Sequence, residues 1–412
     1  MSAMIALLEL PLLAIVTLFT AYLAVVAAAA LVAGPRRRLA GDRREPRHRF
    51  AVVIPAHNEA GTLPRLLARL AELEYPRPRY EVIVVADNCE DETAAVALAG
   101  GARVLTRTDR SRRSKGHALG WAFAQLLPER RHDAFVVLDA DTQPEPDFLV
   151  HLDRALRAGA SVAQAYSAVG NARESWRTAL MAADMALIHY LRPAGRQALG
   201  GSADLQGSGI CLTRAVLREV PWETSSVAED REYHLHLLAR GIHAVFVPEA
   251  VVYTVMEPSL ETARGQELRW EGGRFGLARR YLATLLGKAW RRRHNAGEAW
   301  PYLDAAFDLA IPPFALLAAG TAALTALHGL AWLAGGPPGP ALIWSLLLAG
   351  QAFYVFAGCA LARVPARAYA ALFVYGPLYA AAKVWYVLLL AGGGPRSWVP
   401  TPRRPASPER AA

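Results

Sequence analysis

"RFAVVIPAHNEAGTLPRLLARLAEL", residues 49–73, holds one copy of the unit from which the fold is built. Residues 51–54 are short, apolar and mostly β-branched, the composition of a strand buried on both faces. A polar loop follows, and then leucines at 63, 66, 67 and 70 recur at the spacing of a helix with one apolar face. The scheme repeats in "YEVIVVADNCEDETAAVALAGG" (80–101), with a strand at 82–85, a polar loop and a helix. "RVLTR" (103–107) reads as a third short strand, "SKGHALGWAFAQLL" (114–127) as a helix and "AFVVLDADT" (134–142) as a fourth strand. Strands alternating with helices predict an α/β domain whose sheet is mostly parallel, with helices on both faces. Ligands of such sheets bind at the carboxyl ends of the strands. The polar clusters fall there: Asn58 and Glu59, residues 87–91, then Asp139 and Asp141.

Two carboxylates one residue apart repel unless a positive group sits beside them. No Gly-x-Gly-x-x-Gly follows a strand and no Gly-x-x-x-x-Gly-Lys-Ser/Thr occurs, which disfavours dinucleotide binding and P-loop chemistry. Acidic strand ends suit a nucleotide whose diphosphate is held through Mg2+ or Mn2+, hard cations that take one or two carboxylates plus phosphate oxygens. A solvated loop is the plainer reading of a lone Asp-x-Asp. Its place at a strand end, with acids at neighbouring strand ends, favours the cation.

The chain has 412 residues, enough for two or three structural units. Residues 10–33 are almost wholly apolar and long enough to cross a bilayer. A basic run follows this stretch instead of preceding it, which favours an anchor over a signal peptide. Two further apolar stretches cover 341–362 and 369–390, and a third, 305–334, is interrupted by Pro312 and Pro313. The net charge of +9 concentrates at membrane edges, in "PRRRLAGDRREPRHR" (35–49) and "KAWRRRH" (288–294). Such arginines satisfy the positive-inside rule and attract anionic membrane lipid, so nucleic-acid binding is set aside and the globular region is expected on the cytosolic side of the plasma (inner) membrane. Cys89, Cys211 and Cys359 have neither disulfide nor metal spacing, in keeping with a reducing compartment.

"VVIPAHNEA", "VVADNCEDET", "VVLDADTQPEPDF", "SVAEDREYHLHLLARGI" and "QELRW" occur in that order between residues 50 and 274. In this the chain resembles the membrane-integrated family 2 glycosyltransferases, including cellulose, chitin and hyaluronan synthases and ceramide-type glucosyltransferases. The resemblance implies a Rossmann-like GT-A fold, a nucleoside-diphosphate sugar donor, expected to be a UDP-sugar, and inversion at the anomeric centre. It implies that Asn58, Glu59 and Asp87 border the nucleoside. It places Asp139 near the ribose and diphosphate, Asp141 on the metal with Asp139 as the second carboxylate, and Asp230 as the catalytic base. Gln266, Arg269 and Trp270 match a Gln-x-x-Arg-Trp signature, and Lys115 matches a Lys-Gly element near the donor.

The chemistry can be argued from the residues too. Transfer to a hydroxyl needs a base, and Glu229-Asp230 opens a predicted helix, where the dipole favours negative charge. Decoration of a helix start is the alternative for that pair. A leaving diphosphate needs its charge neutralised, by a cation and by Arg269. Trp270 offers a flat face to an acceptor sugar, or else sits as an interfacial tryptophan. "DLQGSGICLTR" (204–214) lines an acceptor pocket or forms an ordinary turn before a strand. His117, His234, His236 and His243 read as surface or packing residues.

The expected plan is an anchor at 1–34, a basic linker at 35–49, a cytosolic GT-A domain at 50–274, an amphipathic interfacial segment at 275–304, a membrane bundle at 305–392 and a basic tail at 393–412. The Pro312-Pro313 interruption suggests an interfacial or re-entrant start to the bundle. The tail carries Trp398, Thr401 and Arg403 in a Trp-x-x-Thr-x-Arg pattern that resembles the gate of polymer synthases. A lipid acceptor and a growing polysaccharide fit equally well, and a catalytically silent scaffold or transporter is the reading from another class.

Overall fold

The computed structural model describes residues 2–34 and 45–391. Most of the basic linker and the whole tail, with its Trp398 pattern, lie outside them. The chain forms two compact units. One is α/β, built from residues 45–171 and 202–273; the other is helical, built from 2–34, 172–201 and 274–391. The single block expected over 50–274 is therefore divided, because residues 172–201 pack with the helical unit.

Eight strands form the sheet: β1 (Phe50–Ala56), β2 (Tyr80–Asp87), β3 (Arg103–Arg107), β4 (Ala134–Val137), β5 (Thr142–Pro144), β6 (Val162–Val169), β7 (Ile210–Thr213) and β8 (Ala244–Thr254), in the order β3-β2-β1-β4-β7-β6-β8-β5. The half from β3 to β4 is parallel, as the sequence led us to expect. β7 runs antiparallel to both β4 and β6, β6 and β8 are parallel, and β5 is antiparallel to β8. The reversal has a local cause. Gly209 donates its N–H to the Val137 carbonyl at 2.9 Å, so the turn before β7 sits at the carboxyl end of β4 and the strand must run back.

Helices are numbered along the whole chain, beginning with α1 (Ser2–Ala33) of the helical unit. In the α/β unit α2 (Leu63–Ala71), α3 (Thr93–Ala99), α4 (Lys115–Leu126) and α5 (Phe148–Arg157) link the first strands. The leucines that predicted α2 are all buried, in one apolar cluster with Val52, Ile54, Val84 and the buried residues of α5. Burial of such a face, at about 25 cal/mol per Å² of apolar surface, is the main force holding helix to sheet.

The helical unit continues with α6 (Trp176–Ala186), a π-helical turn at Leu187–Leu191 and α7 (Arg192–Ala198); α8 (Arg214–Glu219) and α9 (Glu229–Ala239) return to the α/β unit. Then α10 (Leu260–Arg291) runs unbroken from one unit into the other, so the expected boundary at 274–275 lies inside a helix. After α11 (Ala296–Ala310) come α12 (Phe314–Leu333), α13 (Pro338–Leu361) and α14 (Ala366–Ala391). Pro312 and Pro313 separate α11 from α12, as two residues unable to continue a helix should. Among the described residues, four helices are long and apolar enough to cross a membrane: Glu9–Ala33, Phe314–Leu333, Pro338–Leu361 and Ala366–Leu390. So the stretch around the prolines holds a helix of spanning length in its second half. Gly195 lets α7 approach α1 closely, since a Cβ there would lie 2.1 Å from the Val26 carbonyl oxygen.

Candidate active site

Two groups of polar side chains occupy the carboxyl ends of the parallel strands. The first surrounds Asp87. Asn58 and Asn88 follow β1 and β2 with φ of 57° and 52°, a left-handed turn that asparagine tolerates better than most residues. Asn58 Oδ1 accepts the Glu90 N–H at 2.8 Å, and the Glu59 N–H donates to Thr93 Oγ1 at 2.8 Å, so the loops after β1 and β2 are stitched together. Glu59 itself accepts from the Thr62 hydroxyl at 2.5 Å. Asp87 is buried and paired with Arg107 Nη1 at 2.5 Å; Arg107 also reaches Asp109 at 2.9 Å. Parallel register sets Asp87 beside Arg107 at the last pair of β2 and β3. Arg107 was not singled out from sequence, although an arginine closing a strand beside a strand-end aspartate was the signal.

The second group surrounds Lys115, at the start of α4. Ser114 caps that helix by accepting the His117 N–H at 3.1 Å, which fixes where the lysine emerges. Its ammonium pairs with Asp139 Oδ1 at 2.5 Å and donates to the Gly207 carbonyl at 2.6 Å. The Gly207 N–H in turn donates to Asp230 Oδ2, and the Arg231 N–H donates to Asp230 Oδ1 at 2.8 Å. A Cβ on Gly207 would lie 3.6 Å from Asp139 Oδ2 and 3.9 Å from Asp230 Oδ2, so both carboxylates reach this one glycine. The structure therefore brings Lys115, Asp139 and Asp230 together around a turn that the sequence left between two readings.

Burial raises Glu229 to about 7, with the Asp230 charge adding to the effect and Lys115 opposing it. Burial also raises Asp230, against the pull of Lys115. Burial works against the Lys115 ammonium, but Asp139, Glu229 and Asp230 outweigh it and its pKa rises. Behind this group Asp204 holds Arg231 at 2.8 Å and His234 at 3.1 Å, and His234 reaches Ser202 at 2.9 Å. His234 is thus a buried hydrogen-bonding residue of the α9 support.

Gln266, Arg269 and Trp270 lie on α10. With about 100° per residue, all three fall within roughly 60° of the direction of Gly273, Arg269 on one side and Trp270 on the other. Gly273 shows where this face points, because a Cβ there would lie 3.0 Å from Ala228 Cβ, just ahead of Glu229 and Asp230. Gln266 Oε1 is buried without a hydrogen-bond partner, and Trp270 is 37% exposed.

A model of the family described as "Glycosyltransferase like family 2" matches residues 46–273, more than half of the chain. The chain belongs to glycosyltransferase family 2. Its α/β unit is accordingly a GT-A fold. A beta-monoglucosyldiacylglycerol synthase of Trichormus variabilis is 29% identical over 276 residues, 65% of this chain and 57% of that protein. The probable glycosyltransferase YdaM of Bacillus subtilis is 27% identical over 248 residues, 58% of each chain. The chain thus spans less than two thirds of the length of these relatives. A mannosyltransferase of Pyrobaculum calidifontis, solved with GDP-Man and Mn2+, aligns over 84% of this chain and 99% of its own, with 21% identity and a TM-score of 0.44.

The donor set of the glycosyltransferase bears on metal. Asp139 and Asp141 supply hard oxygens at one strand end. Among the described residues no three His, Cys, Asp or Glu side chains converge to hold an ion by themselves. Two carboxylates are the donor type that Mg2+ or Mn2+ takes alongside phosphate and water, whereas a closed zinc site is built from Cys and His.

Proposed function

We propose that this glycosyltransferase moves a sugar from a nucleoside-diphosphate donor, expected to be a UDP-sugar, to a hydroxyl of a membrane lipid, with inversion. The observation that carries it is the surplus of carboxylates around Gly207: Asp139, Glu229 and Asp230 face one ammonium, Lys115. One carboxylate beside the donor's phosphates and another within one glycine of it are what a single displacement needs.

In that reading the acceptor hydroxyl attacks the anomeric carbon as the bond to the phosphate oxygen breaks. Asp230 takes the hydroxyl proton. Asn58, Glu59 and Asp87 hold the nucleoside. Lys115, Gln266 and Arg269 take up charge on the departing diphosphate. Asp139 and Asp141 would hold Mg2+ or Mn2+, whose chemistry is to neutralise the diphosphate. Trp270 meets the acceptor. Four helices of spanning length, and a relative named for glucosyl transfer to diacylglycerol, favour a lipid over a polysaccharide. The unit's cytosolic place at the plasma membrane is part of the proposal, as is the docking of the basic, amphipathic half of α10 on the bilayer.

The test offers purified protein a panel of nucleotide sugars with diacylglycerol vesicles, and products are read by mass spectrometry. A glycosylated lipid, lost in EDTA and in Asp141→Asn, is expected. Polymer without glycolipid would move the acceptor to polysaccharide, full activity in EDTA would remove the metal, and no donor turnover at all would leave a silent scaffold or transporter.

A further inference from the structure

Gln164 is a polar residue within the apolar run of β6, and it is fully buried. A buried amide is unfavourable unless its hydrogen bonds are made, and here both ends are used. Its Oε1 accepts the Gln206 N–H at 3.0 Å; its Nε2 donates to the Ser208 carbonyl at 2.9 Å and to the Ala165 carbonyl at 3.0 Å. One side chain thus grips the residues on both sides of Gly207.

What it grips is the hub of the site. Within the turn the Gly207 N–H meets Asp230, the Gly207 carbonyl meets Lys115, and Ser208 Oγ accepts the Asp139 N–H at 3.1 Å. Gly207 and Gly209 have φ of 60° and 78°, and a Cβ at Gly209 would lie 2.7 Å from Ala165 Cβ. The turn is therefore a left-handed shape pressed onto β6, where backbone preference alone gives no reason for a single conformation.

We propose that Gln164 is a positioning residue for transfer: it fixes the turn at residues 206–208 and so holds the Gly207 peptide between the base Asp230 and Lys115. The inference rests on the reading of Asp230 as base. Gln164 touches neither donor nor acceptor; it acts through the turn. Its loss leaves the nucleoside loops around Asp87 intact, because no hydrogen bond of that group involves Gln164.

The experiment compares Gln164→Met and Gln164→Glu, both close in volume to the native side chain, with Asp230→Asn and the double variant Gln164→Met/Asp230→Asn in full-length protein. Nucleoside-diphosphate binding, apparent melting, kcat and KM are measured for each. Gln164→Met should lower kcat about 10- to 100-fold with donor KM and nucleotide binding within about threefold. In the Asp230→Asn background the same change should cost less than about threefold, because the base it positions is gone. Gln164→Glu keeps the acceptor for Gln206 and, protonated by burial, a donor; it should hold kcat within about fivefold and serves where the Met variant does not fold. Native kcat in Gln164→Met, full additivity in the double variant, or a folded Gln164→Glu protein that has lost 10-fold or more in kcat each overturns the proposal. Retained transfer in Asp230→Asn would instead sink the underlying assignment of the base.

Discussion

The molecule buries charge in two places and does so in opposite ways. In the helical unit Arg192 and Arg196 of α7 face Asp304 and Asp308 of α11, two cations against two anions. Arg196 meets Asp304 at 2.8 Å and Asp308 at 3.5 Å, Arg192 meets Asp308 at 3.5 Å, and Tyr22 and Tyr354 add hydrogen bonds at 2.8 Å from α1 and α13. The i, i+4 spacing on both helices puts each pair on one face. Around Gly207 three carboxylates face one ammonium. A matched cluster is complete and joins helices; an acidic surplus is a standing attraction for a cation and, when a hydroxyl arrives, for its proton. The difference separates a structural use of buried charge from a chemical one.

The largest effect should come from removing charge on the chemical side. Asp230→Asn keeps the shape and the hydrogen bond from Gly207 but cannot take a proton. Transfer should fall about 10²- to 10⁴-fold while calorimetry still finds the nucleoside diphosphate bound. Lost binding with undiminished chemistry per bound donor would assign Asp230 to the donor site.

The same operation on the structural side should act on folding. Arg196→Leu strands Asp304 in the helical core, while Asp308 keeps Arg192, and should cost about 3–5 kcal/mol, seen as a collapse of apparent melting in detergent. The joint change Arg196→Leu/Asp304→Leu should recover much of it, because an apolar pair removes the desolvation cost along with the attraction. If the double variant melts no higher than the single one, the matched-pair account is wrong.

How much of this contrast could be read from sequence follows from the range of the forces involved. The parallel half of the sheet, α2 and the strand-end acids were legible because periodicity and turn residues are local signals. Asp139, Asp230 and Lys115 were named, yet the turn that joins them was left open, since hydrogen bonds from Gly207 to residues 92 positions before it and 23 after it leave no local trace. Arg107 and Gln164 escaped for the same reason: Arg107 is explained by Asp87 on another strand and Gln164 by a turn more than 40 residues further along the chain. The Arg192/Arg196 and Asp304/Asp308 pairs lie more than a hundred residues apart, and only folding makes them one object.

Trp270 tests the chemical side more gently. It lies about 100° around α10 from Arg269, and in the proposed function the guanidinium serves the diphosphate and the indole the acceptor. Trp270→Ala should lower transfer roughly 10-fold, the scale of a lost ring contact, while slow hydrolysis of the donor by water continues. Arg269→Ala should lower both. Released nucleotide and glycosylated product are measured together, and an equal fall of both in Trp270→Ala would remove its acceptor role.

The smallest effect sharpens the contrast most, because its sign is opposite to that of Arg196→Leu. Glu229 has its folded pKa raised to about 7 from the ordinary 4.5. Above pH about 4.5 the unfolded chain releases that proton, whereas the fold retains it until about pH 7. The group therefore makes stability fall as pH rises across this window, and its full cost is present above it. Glu229→Gln should remove the cost. Apparent melting in EDTA, without donor, should rise by about 2 °C at pH 8 and hardly at all near pH 4.5, a change of roughly 1 kcal/mol once solvent screening of this partly exposed group is allowed for. A Glu229→Gln protein that melts lower at pH 8 would mean that the carboxylate is paired within the fold, and the acidic cluster would then be a matched structural one like its counterpart among the helices.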